Sequence, residues 1–241
     1  MLWSPRREPY HRRPVRAQLT YGVAVRWASW LDPWLYRRPF TGRSAHRYAA
    51  LERPGFGDLD ARLCRAWRAD LAGARRVLDL GAGPGTVGRS LCKCFPEVQV
   101  IEIEPSPDYA RATGASDGRT MRLRARAEAL PLAASSVDAA VSVSAIRHVA
   151  DRVRALAELR RVVRPGGVAL VVELDPEAPA ARVAAHARGV RSWVLGAMFG
   201  PLVVATAPPA ALIAAAARAA GWRDVTRRDD DVQPVYELRL A

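Results

Sequence analysis

The sequence predicts an α/β fold, a doubly wound and mostly parallel sheet of seven strands. It adds an N-terminal helical cap and a lid insertion after the fifth strand. Three observations carry this prediction. Arg75–Leu91 reads strand, glycine turn, helix; apolar strand and helix signals then alternate to Leu174; and two strand signals close the chain. With 241 residues, half of them apolar, the chain can bury one substantial core and a small appendage.

The elements follow in order. In residues 1–48, Pro5, Pro9 and Pro14 lie among arginines and oppose a regular element. Gln18–Leu31 can then form a helix carrying Tyr21, Val25, Trp27 and Trp30, interrupted by Asp32-Pro33 before Trp34. Residues 58–72 place Leu59, Leu63, Trp67 and Leu71 on one helical stripe, which Gly73 ends. Residues 1–73 therefore read as arm and cap, and 74–241 as the main Rossmann-like domain.

Val77, Leu78 and Leu80 form the first buried strand, and Gly81, Gly83 and Gly85 turn the chain into a helix beginning at Thr86. Val98–Ile103 is the second strand, Pro107–Thr113 a helix, Thr120–Ala125 a weaker strand and Val137–Val143 another. Asp151 can cap a helix through Val163. Pro165-Gly166-Gly167 stops it ahead of the apolar strand Val168–Leu174. Residues 176–208 form the insertion, with His186, Trp193, Met198 and Phe199. Thr206 can cap a helix to Ala220 that Gly221 ends, and Trp222–Thr226 and Val235–Leu240 are the closing strands.

The net charge is +13, and Lys93 is the only lysine. Ten arginines against two acids give residues 1–48 a charge of +8, while 27 cations and 22 acids leave +5 for the rest. Four of the seven tryptophans also lie in this arm. It reads as a packing cap, a substrate lid, or an interfacial segment at an anionic lipid surface. A nucleic-acid partner is disfavoured because no recognisable binding module accompanies the arginines. Cys64, Cys92 and Cys94 make neither a disulfide framework nor a zinc spacing, which predicts reduced thiols, no metal and a cytoplasmic protein. No secretory signal is read at the N-terminus. Residues 192–217 carry no charge, but Gly196, Gly200, Pro201, Pro208 and Pro209 interrupt them, against a membrane span.

The glycine turn allows two cofactors. Gly83-x-Gly85-x-x-Gly88, with Glu102 or Glu104 downstream, satisfies a dinucleotide fingerprint. The other frame is Asp79-x-Gly81-x-Gly83-x-Gly85. A carboxylate at Asp79 disfavours a pyrophosphate at the helix N-terminus. It suits S-adenosylmethionine, which carries an ammonium and a sulfonium and no phosphate. Its ribose needs an acid at the end of the second strand, where Glu104 stands.

Here the sequence resembles the class I S-adenosylmethionine-dependent methyltransferases, of the type 11 kind. VLDLGAGPGT is similar to the family's first motif and VIEIEPS to its second. AEALPL resembles the adenine segment, VDAAVSVSAIRHVAD the fourth strand with its exit loop, and LRRVVRPGGVALVVE the helix–PGG–strand signature. The exit loop and PGG segment also resemble those of quinone C-methyltransferases. The resemblance implies a cofactor site of Asp79, Gly81, Ala82, Gly83, Gly85, Glu104, Pro105, Ala127, Glu128 and Ser144. Where the family often has an acid accepting from the adenine amino group, Arg126 stands; either Glu128 substitutes or the contact is absent.

Methyl transfer is an in-line displacement that positioning and desolvation can drive. His148 is the candidate base if the acceptor must lose a proton; the plainer reading is a loop histidine. Arg147 could pair with an anionic substrate or lie at the surface. The implied enzyme methylates a small, partly apolar molecule. The alternatives are a catalytically silent binding module, or one acting through the arm at a membrane or nucleic acid, and an NAD-dependent oxidoreductase.

Overall fold

In the computed structural model, the described residues are 8–9 (backbone), 56–111, 118–189, 204 and 206–241. The Trp-rich helix of the arm, and Trp193, Met198 and Phe199 of the insertion, lie outside them. The elements are β1 (Glu8–Pro9), α1 (Leu59–Ala66), β2 (Arg76–Leu80), α2 (Thr86–Cys94), β3 (Gln99–Ile103), α3 (Pro107–Arg111) and β4 (Thr120–Leu123). There follow β5 (Val137–Val143), a 3₁₀ turn (Ile146–His148), α4 (Arg152–Val162), β6 (Val163–Leu174), α5 (Ala180–Gly189), α6 (Ala210–Ala219), β7 (Val225–Asp229) and β8 (Val235–Leu240).

The sheet order is β1-β7-β8-β6-β5-β2-β3-β4. Strands β4, β3, β2, β5 and β6 are parallel, and β8, β7 and β1 antiparallel. The seven expected strands are present. An eighth, the two-residue Glu8–Pro9, pairs with Thr226 and Arg227 in a stretch the prolines mark as irregular; a sheet edge tolerates a residue without an amide hydrogen. No described helix is long and apolar enough to cross a membrane.

Each face of the sheet buries its own apolar layer. Leu156, Leu159 and Val162 of α4 and Ile213, Ala214 and Ala217 of α6 pack on one side with Leu78, Leu80 and Val171. On the other, Leu59 and Leu63 of α1 and Val87 and Leu91 of α2 pack with Val77, Val141 and Leu170. The stripe Leu59, Leu63, Trp67 and Leu71 is buried throughout, although the helix itself ends at Ala66. Trp67 Nε1 donates to Glu237 Oε2 of β8 at 2.6 Å, and Arg62 pairs with Asp230. Phe56, Leu59, Leu63, Trp67 and Leu71 therefore share the sheet's core.

Two local expectations are corrected. Pro165-Gly166-Gly167 does not precede the strand but bulges within it, because Val163 already pairs with Val137 and Val168 pairs with Ala139. The bulge passes so close that a Cβ on Gly167 would lie 2.3 Å from the Asp138 carbonyl oxygen. Gly167→Ala is expected to destabilise the fold by about 1–3 kcal/mol, as overpacking does, read as a lower urea midpoint at unchanged slope. The second correction concerns Thr206, which caps no helix. Pro209 is the N-cap of α6, and Thr206 instead accepts from Arg147 Nη2 at 3.2 Å.

Asp138 ties the edge of this bulge to β2. Its Oδ2 accepts the amides of Arg75 and Arg76, each at 2.8 Å, and Oδ1 meets Arg164 Nε at 2.8 Å. Partial burial opposes the charge, but the two amides and the guanidinium outweigh it and hold the carboxyl below its ordinary 3.8. A depressed folded value stabilises above the unfolded value and is lost as pH falls through the folded one. Asp138→Asn should therefore cost stability at pH 7, and the gap to wild type should close only below about pH 3.8, in urea titrations at both pH values.

Candidate active site

The glycine turn caps the carboxyl end of β2. Gly81 and Ala82 both donate to the Ile103 carbonyl, at 2.8 and 3.2 Å, which folds the turn back over β3. Gly81, Gly83 and Gly85 have φ of 75°, 53° and 77°, a region open to glycine at little cost. Their surroundings differ. A Cβ on Gly81 would lie 2.3 Å from Ala145 Cβ in the loop leaving β5, and one on Gly85 would lie 2.6 Å from Arg122 Nη2. No described residue stands within 4 Å of a Cβ on Gly83, so among the described residues the turn has open space at its middle glycine.

The acids divide by role. Asp79 is buried in β2, in register with Val141 and Glu102. Glu104 lies against the turn: Oε2 accepts the Gly83 amide and Oε1 the Ser106 amide, each at 2.8 Å. Burial pushes its carboxyl up, while the Ser106 and Gly83 amides pull it down, and the net position is above the ordinary value. Glu102 faces elsewhere. It pairs with Arg122 at 2.6 Å, and a Cβ on Gly88 would lie 2.3 Å from its Oε1. Gly88 is thus accounted for by helix–strand packing and does not need a phosphate.

Arg122 is the residue that sequence reasoning missed. From β4 its Nη1 donates to the Gly83 carbonyl at 2.9 Å and to the Tyr109 carbonyl, while Nε and Nη2 hold Glu102. One guanidinium therefore braces the glycine turn, the end of β3 and α3. The available signal was register: Arg122 sits beside Glu102 on the neighbouring strand.

On the other flank, Ala127 is buried and Glu128 Oε1 accepts from Arg126 Nη2 and the Asp151 amide, both at 3.5 Å. Burial opposes the charge on Glu128, but these donors hold its carboxyl below the ordinary value. The Arg126 side chain is 72 % exposed. Pro105 is exposed, and its carbonyl is 3.4 Å from Arg124 Nε.

The loop leaving β5 begins at Ser144, with φ of 55°; its Oγ is buried and makes no hydrogen bond among the described residues. His148 is exposed, with neighbouring protein crowded about its ring. That surrounding protein, then the charges of Arg147 and Arg152, pushes the imidazole down to about 3, so the ring is neutral at pH 7. Arg147 is buried and its Nη2 donates to Thr206 Oγ1, so it is not the surface arginine of the plainer reading. His186 is buried too, with Nδ1 bonded to Gln233 Oε1 and its ring edge-on to Phe56 at 4.7 Å.

Residues 78–171 match the family model of a methyltransferase domain. Over that stretch the chain is similar to the methyltransferase domain family. A ubiquinone/menaquinone biosynthesis C-methyltransferase from Syntrophotalea carbinolica is 40% identical over 144 residues, covering 57% of this chain and 61% of that protein. An uncharacterized methyltransferase from Mycobacterium bovis is 42% identical over 96 residues, covering 40% of this chain and 38% of that one. The chain thus spans less than two thirds of the length of these relatives.

Among solved structures, a putative S-adenosyl-L-methionine-dependent methyltransferase from Methanococcus maripaludis superposes with a TM-score of 0.67 at 13% identity, covering 83% of this chain and 92% of that one. PigF with SAH superposes with a TM-score of 0.64 at 15% identity, covering 93% of this chain and 69% of that one. The sheet has the fold of class I S-adenosylmethionine-dependent methyltransferases.

The residues around the glycine turn fit that cofactor. Among the described residues, space is open at Gly83, the Ser144 hydroxyl is buried without a partner, and each Glu104 oxygen keeps acceptor capacity beyond its one amide.

Proposed function

We propose that this chain transfers a methyl group from S-adenosylmethionine to a small, partly apolar acceptor by in-line displacement. The observation that carries the proposal is the Glu104 carboxylate, pinned by the Gly83 and Ser106 amides beside the open middle of the turn. When bound, the cofactor supplies a methyl group on a positively charged sulfur. Around it Glu104 accepts from the two ribose hydroxyls, and Asp79 lends the turn negative potential that suits a cation and opposes a pyrophosphate. The backbone at Ala127 and Glu128 flanks the adenine. Gly81, Ala82, Gly83 and Gly85 bring the main chain close, and Pro105 and Ser144 complete the site.

Exclusion of water and alignment then supply most of the rate enhancement. A ring pushed down to about 3 is a weak base, so His148 contributes little proton transfer. His148→Ala is expected to lower methyl transfer less than about 10-fold, where a true general base is worth about 100-fold or more. The readout is labelled methyl incorporated into a metabolite extract.

The 40% identical relative named as a quinone-biosynthesis C-methyltransferase supports an apolar aromatic acceptor. Residues 1–48 are assigned to closing over that acceptor, with peripheral membrane contact as the second use of their Trp and Arg. The proposed location is the cytoplasm. Titrating the chain with S-adenosylhomocysteine and with NAD tests the cofactor reading, and screening extracts with labelled methyl donor identifies the acceptor.

A further inference from the structure

The loop leaving β5 is held from beneath by groups that touch none of the proposed cofactor contacts. Glu173, near the end of β6, is completely buried, and its Oε1 accepts the Arg147 amide at 3.1 Å. The Ile146 amide bonds to the same carboxylate. Arg152, the first residue of α4, takes the opposite side of the same residues: Nε donates to the Ile146 carbonyl at 3.3 Å and Nη2 to the Arg147 carbonyl at 3.2 Å. The Arg147 side chain turns away to Thr206.

On its other side the loop meets the cofactor turn. Val143 pairs with Val172, and Ser144 donates its amide to the Val172 carbonyl at 2.7 Å, so Ser144 and Glu173 follow at neighbouring positions. Ala145 presses on Gly81 so closely that a Cβ there would stand 2.3 Å away. The segment 144–148 is wedged between a buried carboxylate and the glycine turn.

Energetics argue against a packing role for Glu173. Burying a carboxylate is costly, and an apolar residue of similar volume often serves a core equally well or better. Its Oε2 makes no hydrogen bond among the described residues, so they do not fully satisfy the carboxyl group. What it supplies, and a leucine could not, is an acceptor for the two amides of the loop.

We infer that Glu173 is a positioning residue: by holding the Ile146 and Arg147 amides it keeps the β5 exit loop seated on the glycine turn. Affinity for the methyl donor then depends on a residue that does not contact the donor. The binding half of this inference rests on the proposed cofactor reading; the loop half does not.

The test uses the full chain as wild type, Glu173→Ala, Glu173→Gln and a core control on the neighbouring strand β8, Leu238→Ala. Amide exchange is followed over the peptide 144–150, and S-adenosylhomocysteine affinity is measured by calorimetry. Glu173→Ala is expected to speed exchange of the loop peptide at least 10-fold more than Leu238→Ala does, and to weaken binding at least 10-fold. Glu173→Gln keeps an acceptor oxygen and should stay within about 3-fold of wild type in both. If Glu173→Ala does not fold, Glu173→Asp replaces it, with accelerated loop exchange and weakened binding again expected. Wild-type loop protection and wild-type affinity in the folded variant would overturn the inference, as would equal effects from Leu238→Ala. If wild type fails to bind S-adenosylhomocysteine while loop exchange still responds to Glu173, the cofactor reading has failed and the clamp stands.

Discussion

Replacing Glu104 with alanine should weaken S-adenosylhomocysteine binding by at least about 100-fold, close to 3 kcal/mol, while the protein remains folded. The size follows from two hydrogen bonds between ribose hydroxyls and one carboxylate, each worth about 1.5 kcal/mol or more because the acceptor is charged. The same substitution removes the acceptor of the Gly83 and Ser106 amides, so the turn loses its own brace along with the ligand's. Glu104→Gln separates the two effects. It keeps one oxygen of the right shape and the turn near its place, but cannot accept at both atoms, and a loss of about 10-fold is expected. Calorimetric titration reads both variants, and unchanged thermal midpoints confirm that binding, not folding, has been lost.

Arg122→Met should cost about 3–5 kcal/mol of stability, the usual penalty for leaving one partner of a buried ion pair uncompensated. Both side chains are nearly inaccessible, at 6 % for Arg122 and 4 % for Glu102. The double variant Arg122→Met/Glu102→Leu should recover much of that loss, since two apolar residues leave no buried charge. It should not recover binding, because the Gly83 and Tyr109 carbonyls still lack the guanidinium that holds them. Denaturant titration and calorimetry on the three variants separate the two roles. Full recovery of affinity in the double variant would mean that Arg122 serves Glu102 alone.

The contrast between Glu104 and Arg122 explains what could be read from residues alone. Glu104 is legible because its place, the residue after the last apolar position of the second strand, is fixed by sequence. The glycines are legible because left-handed φ values select them. Val77–Leu80 and Val168–Leu174 are legible because a strand buried on both faces is apolar at nearly every position, Asp79 and Glu173 being the exceptions. Arg122 is one of many arginines, and what singles it out is the register that sets β4 beside β3.

Arg147 and Thr206 show the same limit. They meet across 59 positions, so neither a buried arginine nor an uncapped helix start could be anticipated from neighbouring residues. The bulge at Pro165-Gly166-Gly167 was hidden because the same residues also signal a stop. Only the close approach of the Asp138 carbonyl to Gly167 distinguishes the two.

The central claim is that the glycine turn, with Asp79 before it and Glu104 beyond it, is a methyl-donor site. One calorimetric experiment tests it most directly: the full chain titrated in parallel with S-adenosylhomocysteine and with NAD. The predicted result is saturable binding of S-adenosylhomocysteine, weakened at least about 100-fold by Glu104→Ala, with no heat from NAD. Binding of NAD with no response to S-adenosylhomocysteine would contradict it.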